Sequence, residues 1–289
     1  MAKIGFIGLG IMGESMCANI VKKHNDTVYC SDLNKDKVKQ LEAQGAVGCA
    51  DNIEVAKNAD IIITMVPKSE HVKGVYTELL PYITPDMICI DMSTIDPAVS
   101  VEVANTVKAT GAQFADCPVV KSKAAAIAGD LGVLAGCDRE LFEVIKPILS
   151  YMGSHVIYMG TNGAGITMKI CHNALVGEIQ NGVNETLLLA QQFGISIDDY
   201  YAAVAAGGAQ NIYLDNQHDK IKFSDWTTAF SFENMNKDIH IAKGLAEQTG
   251  VDLPGINNVV SVYEKGMAQD LCKEDFRSTY KVVKQSFGD

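Results

Sequence analysis

Short apolar runs alternate with amphipathic stretches over the first 160 or so residues of this 289-residue chain. The β-rich runs predict strands at residues 3–7, 27–31, 60–65, 87–91, 113–116, 132–135 and 155–158. Between them, apolar positions recur at helical spacing over residues 12–23, 35–43, 96–109 and 138–152. Strands alternating with helices of this length predict βαβ units, and hence an α/β domain with a doubly wound parallel sheet.

The texture changes after Gly160. Thr161, Asn162, Gly163, Ala164 and Gly165 make a flexible turn, and an apolar-periodic stretch then runs over residues 166–193, too long for a strand and its crossover. Further helical segments are expected at 197–206, 232–250 and 253–269. The boundary therefore falls near Gly163, with domain 1–162 built on the sheet and domain 163–289 all-helical.

Composition narrows the function. An apolar content of 47% suffices for packed cores. A net charge of −11 argues against a nucleic-acid partner, which draws on clustered Lys and Arg, but leaves room for a small anionic substrate in a local positive pocket. No apolar run approaches the roughly 18 residues needed to span a bilayer, and MAKIGFIGLG resembles a first strand more than a leader. The eight cysteines are scattered, without a CxxC pair, and are expected to be reduced core residues. Only His172 adjoins one, so no metal site is expected. These features together predict a cytoplasmic protein.

Immediately after the first strand stands Gly8-Leu9-Gly10-Ile11-Met12-Gly13, a GxGxxG that opens a helix. A dinucleotide site needs this spacing: one glycine for the tight turn, one for close approach of backbone to pyrophosphate, one for helix–strand packing. Glycine turns after strands are common, so the context matters. The second predicted strand ends in Asp32, about 20 residues after the turn, where a ribose-binding carboxylate belongs. Asp32 would repel a 2′-phosphate and no arginine follows it, which favours NAD over NADP, although Lys35 could partly serve a phosphate. The N-terminal domain then reads as a Rossmann domain. Val66 and Pro67 at one strand end, and Thr94 at another, are placed to touch the cofactor; a proline-terminated strand and a helix cap are the plainer readings.

The motifs GFIGLGIMG, ITMVP, IDMST, DCPV, GAGITMK and NKDI, in this order across nearly the whole chain, resemble the β-hydroxyacid dehydrogenase family, which includes 3-hydroxyisobutyrate dehydrogenase and tartronate semialdehyde reductase. The resemblance implies that Lys169 is the catalytic acid or base. Chemistry agrees, because hydride addition to an aldehyde leaves an alkoxide that needs a proton donor within hydrogen-bond reach. The plainer reading is a surface lysine at a helix start. His172 and Asn173 follow on the same helical face or close to it. Asn173 fits the family, whereas His172 departs from it, and the Lys-x-x-His-Asn order resembles 6-phosphogluconate dehydrogenase, where both residues hold substrate. A buried helix histidine with a satisfied partner is the alternative for His172.

A second departure lies at Pro118-Val119-Val120-Lys121-Ser122-Lys123, where the family has Pro-Val-Ser-Gly-Gly for the substrate carboxylate. The sulfolactaldehyde reductase branch also carries a basic, hydroxyl-bearing segment here, and its next residues look like Ala124 to Leu131. Lys121, Ser122 and Lys123 would suit a sulfonate or other strong anion, or the two lysines are solvated loop charges. Lys237-Asp238 match a pair whose lysine, in the family, reaches the nicotinamide end of the cofactor. The mechanism implied is hydride exchange between nicotinamide C4 and a short acid anchored by Ser122, Lys123 and Asn173, with Lys169 relaying the proton. Family members are dimers or tetramers, so a homodimer or homotetramer is expected. The alternatives are a short-form 6-phosphogluconate dehydrogenase, an imine reductase, which would usually lack the lysine, and a catalytically silent NAD-sensing relative.

Overall fold

The computed structural model describes residues 2–287. The chain divides into two compact units, one ending at Lys169 and the other beginning at Ile170. In the first, the order is β1 Ile4–Ile7, α1 Gly13–Lys23, β2 Val28–Ser31, α2 Lys35–Glu42, β3 Val47–Gly48, α3 Asn52–Asn58, β4 Ile61–Thr64 and α4 Ser69–Leu79. Then come β5 Ile88–Asp91, α5 Pro97–Lys108, β6 Gln113–Asp116, β7 Val119–Val120, α6 Lys123–Ala128, β8 Leu131–Gly136, α7 Arg139–Leu149 and β9 Gly153–Gly160. A long helix, α8 Ala164–Gln192, begins in this unit and continues into the next.

Every expected strand and helix of this unit forms, with ends shifted by at most a few residues. β3 and β7, two residues each, are too short to show a period, as is the seven-residue α3. α4 lies outside the expected elements although Val72, Tyr76 and Leu79 recur along it at helical spacing. The sheet runs β3-β2-β1-β4-β5-β6-β8-β7, with β9 beside β8. The chain thus leaves β1 in one direction and returns to its other side at β4, which makes the carboxyl ends of β1 and β4 the topological switch point.

Alternate side chains of the central strands feed two cores. Ile4, Phe6, Ile61, Ile63 and Ile90 join the core under α1, α2 and α7, whereas Ile7, Ile62, Cys89 and Phe114 join the one under α3, α4 and α5. Both faces are covered, as a period of two on a buried sheet requires. One expectation fails at the edge: β8 runs antiparallel to β6 and β7. The six-residue α6 rises only about 9 Å, against about 20 Å for a strand as long as β8, so it cannot carry the chain back for a parallel crossover.

The second unit is helical: the rest of α8, α9 Ile197–Ala205, α10 Ile212–Lys222, α11 Phe232–Thr249, α12 Pro254–Met267 and α13 Thr279–Lys284. Ile170 and Ala174 of α8 pack with Phe232, Met235 and Ile239 of α11 and Val259, Val260 and Tyr263 of α12. A Cβ added to Gly177 would stand 2.9 Å from Ile239, so this glycine sets how closely α8 and α11 approach. α10 lies outside the expected elements because a run of polar residues, 215–220, separates its apolar ends; Asn211 caps it by accepting from the Leu214 amide at 2.8 Å. Arg277 and Asp275 form a fully buried ion pair at 2.7 Å, and Arg277 also donates to the carbonyls of Asp225 and Thr227. All eight cysteines are free; Cys171 is exposed and Cys272 partly so, contrary to the expectation of core positions throughout. Among the described residues no helix is long and apolar enough to cross a membrane.

Candidate active site

The GxGxxG turn sits at the switch point, between the end of β1 and the start of α1. Gly8 has φ +98°, and its missing Cβ would stand 2.3 Å from the Met65 carbonyl, so only glycine turns the chain here. A Cβ on Gly13 would meet the Gly8 carbonyl oxygen at 2.0 Å, whereas one on Gly10 would point into open space. Gly8 and Gly13 therefore answer to the fold, and Gly10 leaves room for something outside it. Gly10 and Ile11 are exposed and Met12 half-buried at the mouth of α1, whose first amides lack intrahelical acceptors. A diphosphate fits this arrangement of open backbone and helix N-terminus.

Asp32, half-buried just past β2, accepts from the Leu9 amide at 2.6 Å through Oδ2 and from the Asn34 amide at 2.7 Å through Oδ1. A carboxylate has about four acceptor sites, so capacity for ribose hydroxyls remains. The Lys35 ammonium donates to the Ala50 carbonyl at 2.6 Å.

The ends of β4 and β5 are organised by a buried carboxylate that the motif reading left without a role. Asp91 Oδ1 accepts from the hydroxyls of Thr64 and Ser93, each at 2.7 Å. The Ser93 hydroxyl in turn accepts from the Val66 amide at 2.9 Å, so one carboxylate aligns both strand ends, with Val66 and Pro67 on one and Thr94 beyond Ser93 on the other. Burial pushes the Asp91 carboxyl up, against the lowering effect of these donors. A charged residue inside an otherwise apolar strand was the available signal.

Lys121 and Ser122, in the turn between β7 and α6, and Lys123, the first residue of α6, are all exposed. Lys121 has φ +83°, unusual for a residue with a side chain. Its ammonium lies 2.7 Å from Asp130, whose carboxyl it holds below the usual range; Ser154 donates to the same carboxylate. Lys121 thus makes a surface ion pair. Ser122 stands at the N-cap position of α6 without a side-chain hydrogen bond to it, and Lys123 begins the helix.

Lys169 is half-buried in the second turn of α8. In the second unit, Asn173 is buried and donates to Asp238 Oδ2 at 2.7 Å, which fixes its amide orientation. His172 Nδ1 is 3.1 Å from Asn173 Oδ1. The Lys237 ammonium lies 3.0 Å from the other oxygen of the fully buried Asp238. One carboxylate therefore organises both Asn173 and Lys237.

Residues 3–160 match the family described as the NAD binding domain of 6-phosphogluconate dehydrogenase, and residues 163–283 the one described as NAD-binding of NADP-dependent 3-hydroxyisobutyrate dehydrogenase. The chain is 31% identical over 290 residues to 2-(hydroxymethyl)glutarate dehydrogenase of Eubacterium barkeri, spanning 99% of this chain and 96% of that one. It is also 31% identical to 3-sulfolactaldehyde reductase of Escherichia coli, over 100% of this chain and 98% of that one. Among solved structures, 3-hydroxyisobutyrate dehydrogenase of Mycobacterium tuberculosis with L-serine is similar at a TM-score of 0.90 and 27% identity, over 98% and 99% of the two chains. A likeness of this extent, on a fold with a dinucleotide turn at its switch point, leads to one conclusion: the chain belongs to the β-hydroxyacid dehydrogenase family and is an NAD-binding oxidoreductase acting on a hydroxyl group.

Proposed function

We propose that this protein interconverts a small anionic 3-hydroxy compound and its semialdehyde, preferring NAD to NADP, with Lys169 as acid and base. The observation that carries this reading is the shared stretch of α8: Lys169 stands half-buried one turn before Asn173, whose amide is locked by buried Asp238. The dinucleotide, when bound, accepts or supplies the hydride. Gly8, Gly10, Ile11, Met12 and Gly13 hold its diphosphate, Asp32 its ribose, and Val66, Pro67, Thr94 and Lys237 further parts of it. Lys169 Nζ gives a proton to the nascent alkoxide in reduction and takes it back in oxidation. Asn173 presents its amide to the substrate, with His172 beside it.

Ser122 and Lys123 bind the acid group. A sulfonate or second carboxylate suits them, since a lysine and a hydroxyl offer charge-assisted hydrogen bonds without demanding planar geometry. The sulfolactaldehyde and hydroxymethylglutarate named in two relatives carry such groups. The test is a reductase screen with NADH and NADPH against succinic, methylmalonic and tartronic semialdehydes, glyoxylate and sulfolactaldehyde, repeated with Lys169→Ala. Loss of about 10²–10⁴ in kcat with NADH affinity intact supports the assignment; undiminished turnover refutes it.

The Lys169, His172 and Asn173 order also favours a second reading, a short-form 6-phosphogluconate dehydrogenase, which release of carbon dioxide from 6-phosphogluconate would reveal. The site is proposed to work in a cytoplasmic homodimer or homotetramer. Leu189, Phe193, Ile195, Ile212 and Phe223 of the second unit are exposed apolar residues suited to a subunit contact. Light scattering after size exclusion measures that assembly.

A further inference from the structure

Asp116 ends β6 with its side chain almost wholly buried. Its Oδ1 accepts from the Gly163 amide at 2.7 Å, and its Oδ2 from the Ile166 amide at 2.9 Å. Both amides belong to the opening of α8, where the first turn has no intrahelical acceptors. The cap is supplied by the sheet, from 50 residues earlier in the chain.

The space around this carboxylate is fitted to it. A Cβ on Gly165 would stand 2.9 Å from Oδ2, and one on Gly136 would stand 2.7 Å from both oxygens. Asn162 adds two stitches, donating to the carbonyls of Phe114 at 2.9 Å and Gly136 at 3.1 Å. The start of α8 is therefore fastened to β6 and β8 at four points. Lys169 follows Ile166 by three residues, on the same side of the helix one turn on.

We propose that the Asp116 carboxylate is a positioning residue for Lys169: by holding the Gly163 and Ile166 amides it sets where α8 begins, and so where the lysine ammonium stands. This rests on the reading of Lys169 as acid and base. The ionised form makes the clamp, since a carboxylate accepts from both amides while a protonated carboxyl presents an O–H that needs an acceptor of its own. Burial pushes the Asp116 carboxyl up to about 6, the Gly163 and Ile166 amides lower it, and Asp91 on the adjoining strand raises it further. The thiols of Cys117 and Cys137 also lie near it, and burial keeps them neutral at this pH. While the carboxyl stays buried, protonation removes the charge that the two amides hold, so the clamp loosens locally as pH falls through this range, although the fold as a whole holds the proton more tightly than the unfolded chain does.

The test combines kcat and KM profiles from pH 5 to 9, using NADH and the fastest of the five aldehydes above, with hydrogen exchange of residues 163–168. In the wild type, kcat is expected to fall about tenfold per pH unit below about 6, with exchange protection of the segment falling over the same range. Asp116→Asn is expected to abolish that acid limb, lower kcat at pH 7.5 by tenfold or more, and leave KM for NADH unchanged. A variant with faster exchange but the wild-type profile means a purely structural cap and overturns the proposal. Wild-type protection that stays constant through pH 6 overturns it too, and needs no variant that folds. The exchange readout does not involve the lysine, so a fully active Lys169→Ala removes the acid–base reading separately.

Discussion

The backbone amide of Leu9 donates to the Asp32 carboxylate across 2.6 Å, which ties the glycine turn after β1 to the end of β2. The bond shapes the turn and leaves lone pairs of the carboxylate open, where a ribose is proposed to bind. Asp32→Ala should raise the dissociation constant for NADH at least tenfold, about 1.4 kcal/mol, and lower stability by about 1–3 kcal/mol through the stranded amide. Asp32→Asn should narrow the gap between NADH and NADPH by removing the negative charge. Fluorescence titration with both cofactors and urea unfolding measure these effects; an unchanged NADH affinity in the alanine variant contradicts the ribose role.

Gly10 and Gly13 should separate binding from folding. Gly10→Ala meets no protein atom within 4 Å, so the variant should melt like the wild type yet bind NADH weakly, its methyl standing where the diphosphate approaches. Gly13→Ala places a methyl 2.0 Å from a carbonyl oxygen and should lower both the melting temperature and the affinity. Equal NADH affinity in Gly10→Ala and wild type would place the diphosphate elsewhere.

Lys121 holds a backbone conformation that costs a side-chain-bearing residue about 1–2 kcal/mol, and its ion pair with Asp130 lies at the surface, where solvent screens it. Lys121→Gly should therefore leave stability unchanged or raise it, with little effect on KM. Lys123→Ala should instead raise KM for an anionic aldehyde, and steady-state kinetics on the two variants distinguishes their roles.

Stability should depend on pH through Asp116. Its carboxyl titrates at about 6 when folded against an ordinary 3.8, so the folded chain holds this proton more tightly. The stabilising contribution is complete below about pH 4 and is lost as pH rises through 6; at 1.36 kcal/mol per pH unit it amounts to roughly 3 kcal/mol. Buried Asp91 contributes with the same sign. Urea unfolding at pH 4.5 and 7.5 should show wild type losing stability relative to Asp116→Asn at the higher pH. A constant difference between the two proteins contradicts the shift.

In the second unit, Asp275→Ala should destabilise by about 3–5 kcal/mol, since it removes the buried counter-charge of the Arg277 guanidinium and leaves only the more distant, exposed Asp225 carboxylate at 3.8 Å. Chemical denaturation tests this, and a loss under 1 kcal/mol would mean that the Asp225 carboxylate and the carbonyls of Asp225 and Thr227 suffice.

The sequence by itself determined the alternation of strands and helices, the change to an all-helical region near Gly163, and the dinucleotide turn from Gly8 to Gly13 with Asp32 after the next strand. These are legible because side-chain period, glycine sterics and strand-to-helix spacing act over a few neighbouring residues. Lys169, Asn173 and Lys237 came from motif resemblance, since a lysine on an amphipathic helix looks the same whether it serves chemistry or solvent.

Only the tertiary structure decided what the buried carboxylates do. Asp91 joins two strand ends, Asp116 reaches α8 from 50 residues away and Asp238 meets Asn173 from 65 residues away, and no local pattern states which amide a carboxylate will find. The same holds for the antiparallel turn of β8 and for Lys121, which a charge pattern offers to an anion and the folded chain brings to Asp130. Partners of buried polar groups are chosen by long-range packing, because desolvation makes an unpaired group expensive and leaves the fold to supply whichever donor lies nearest.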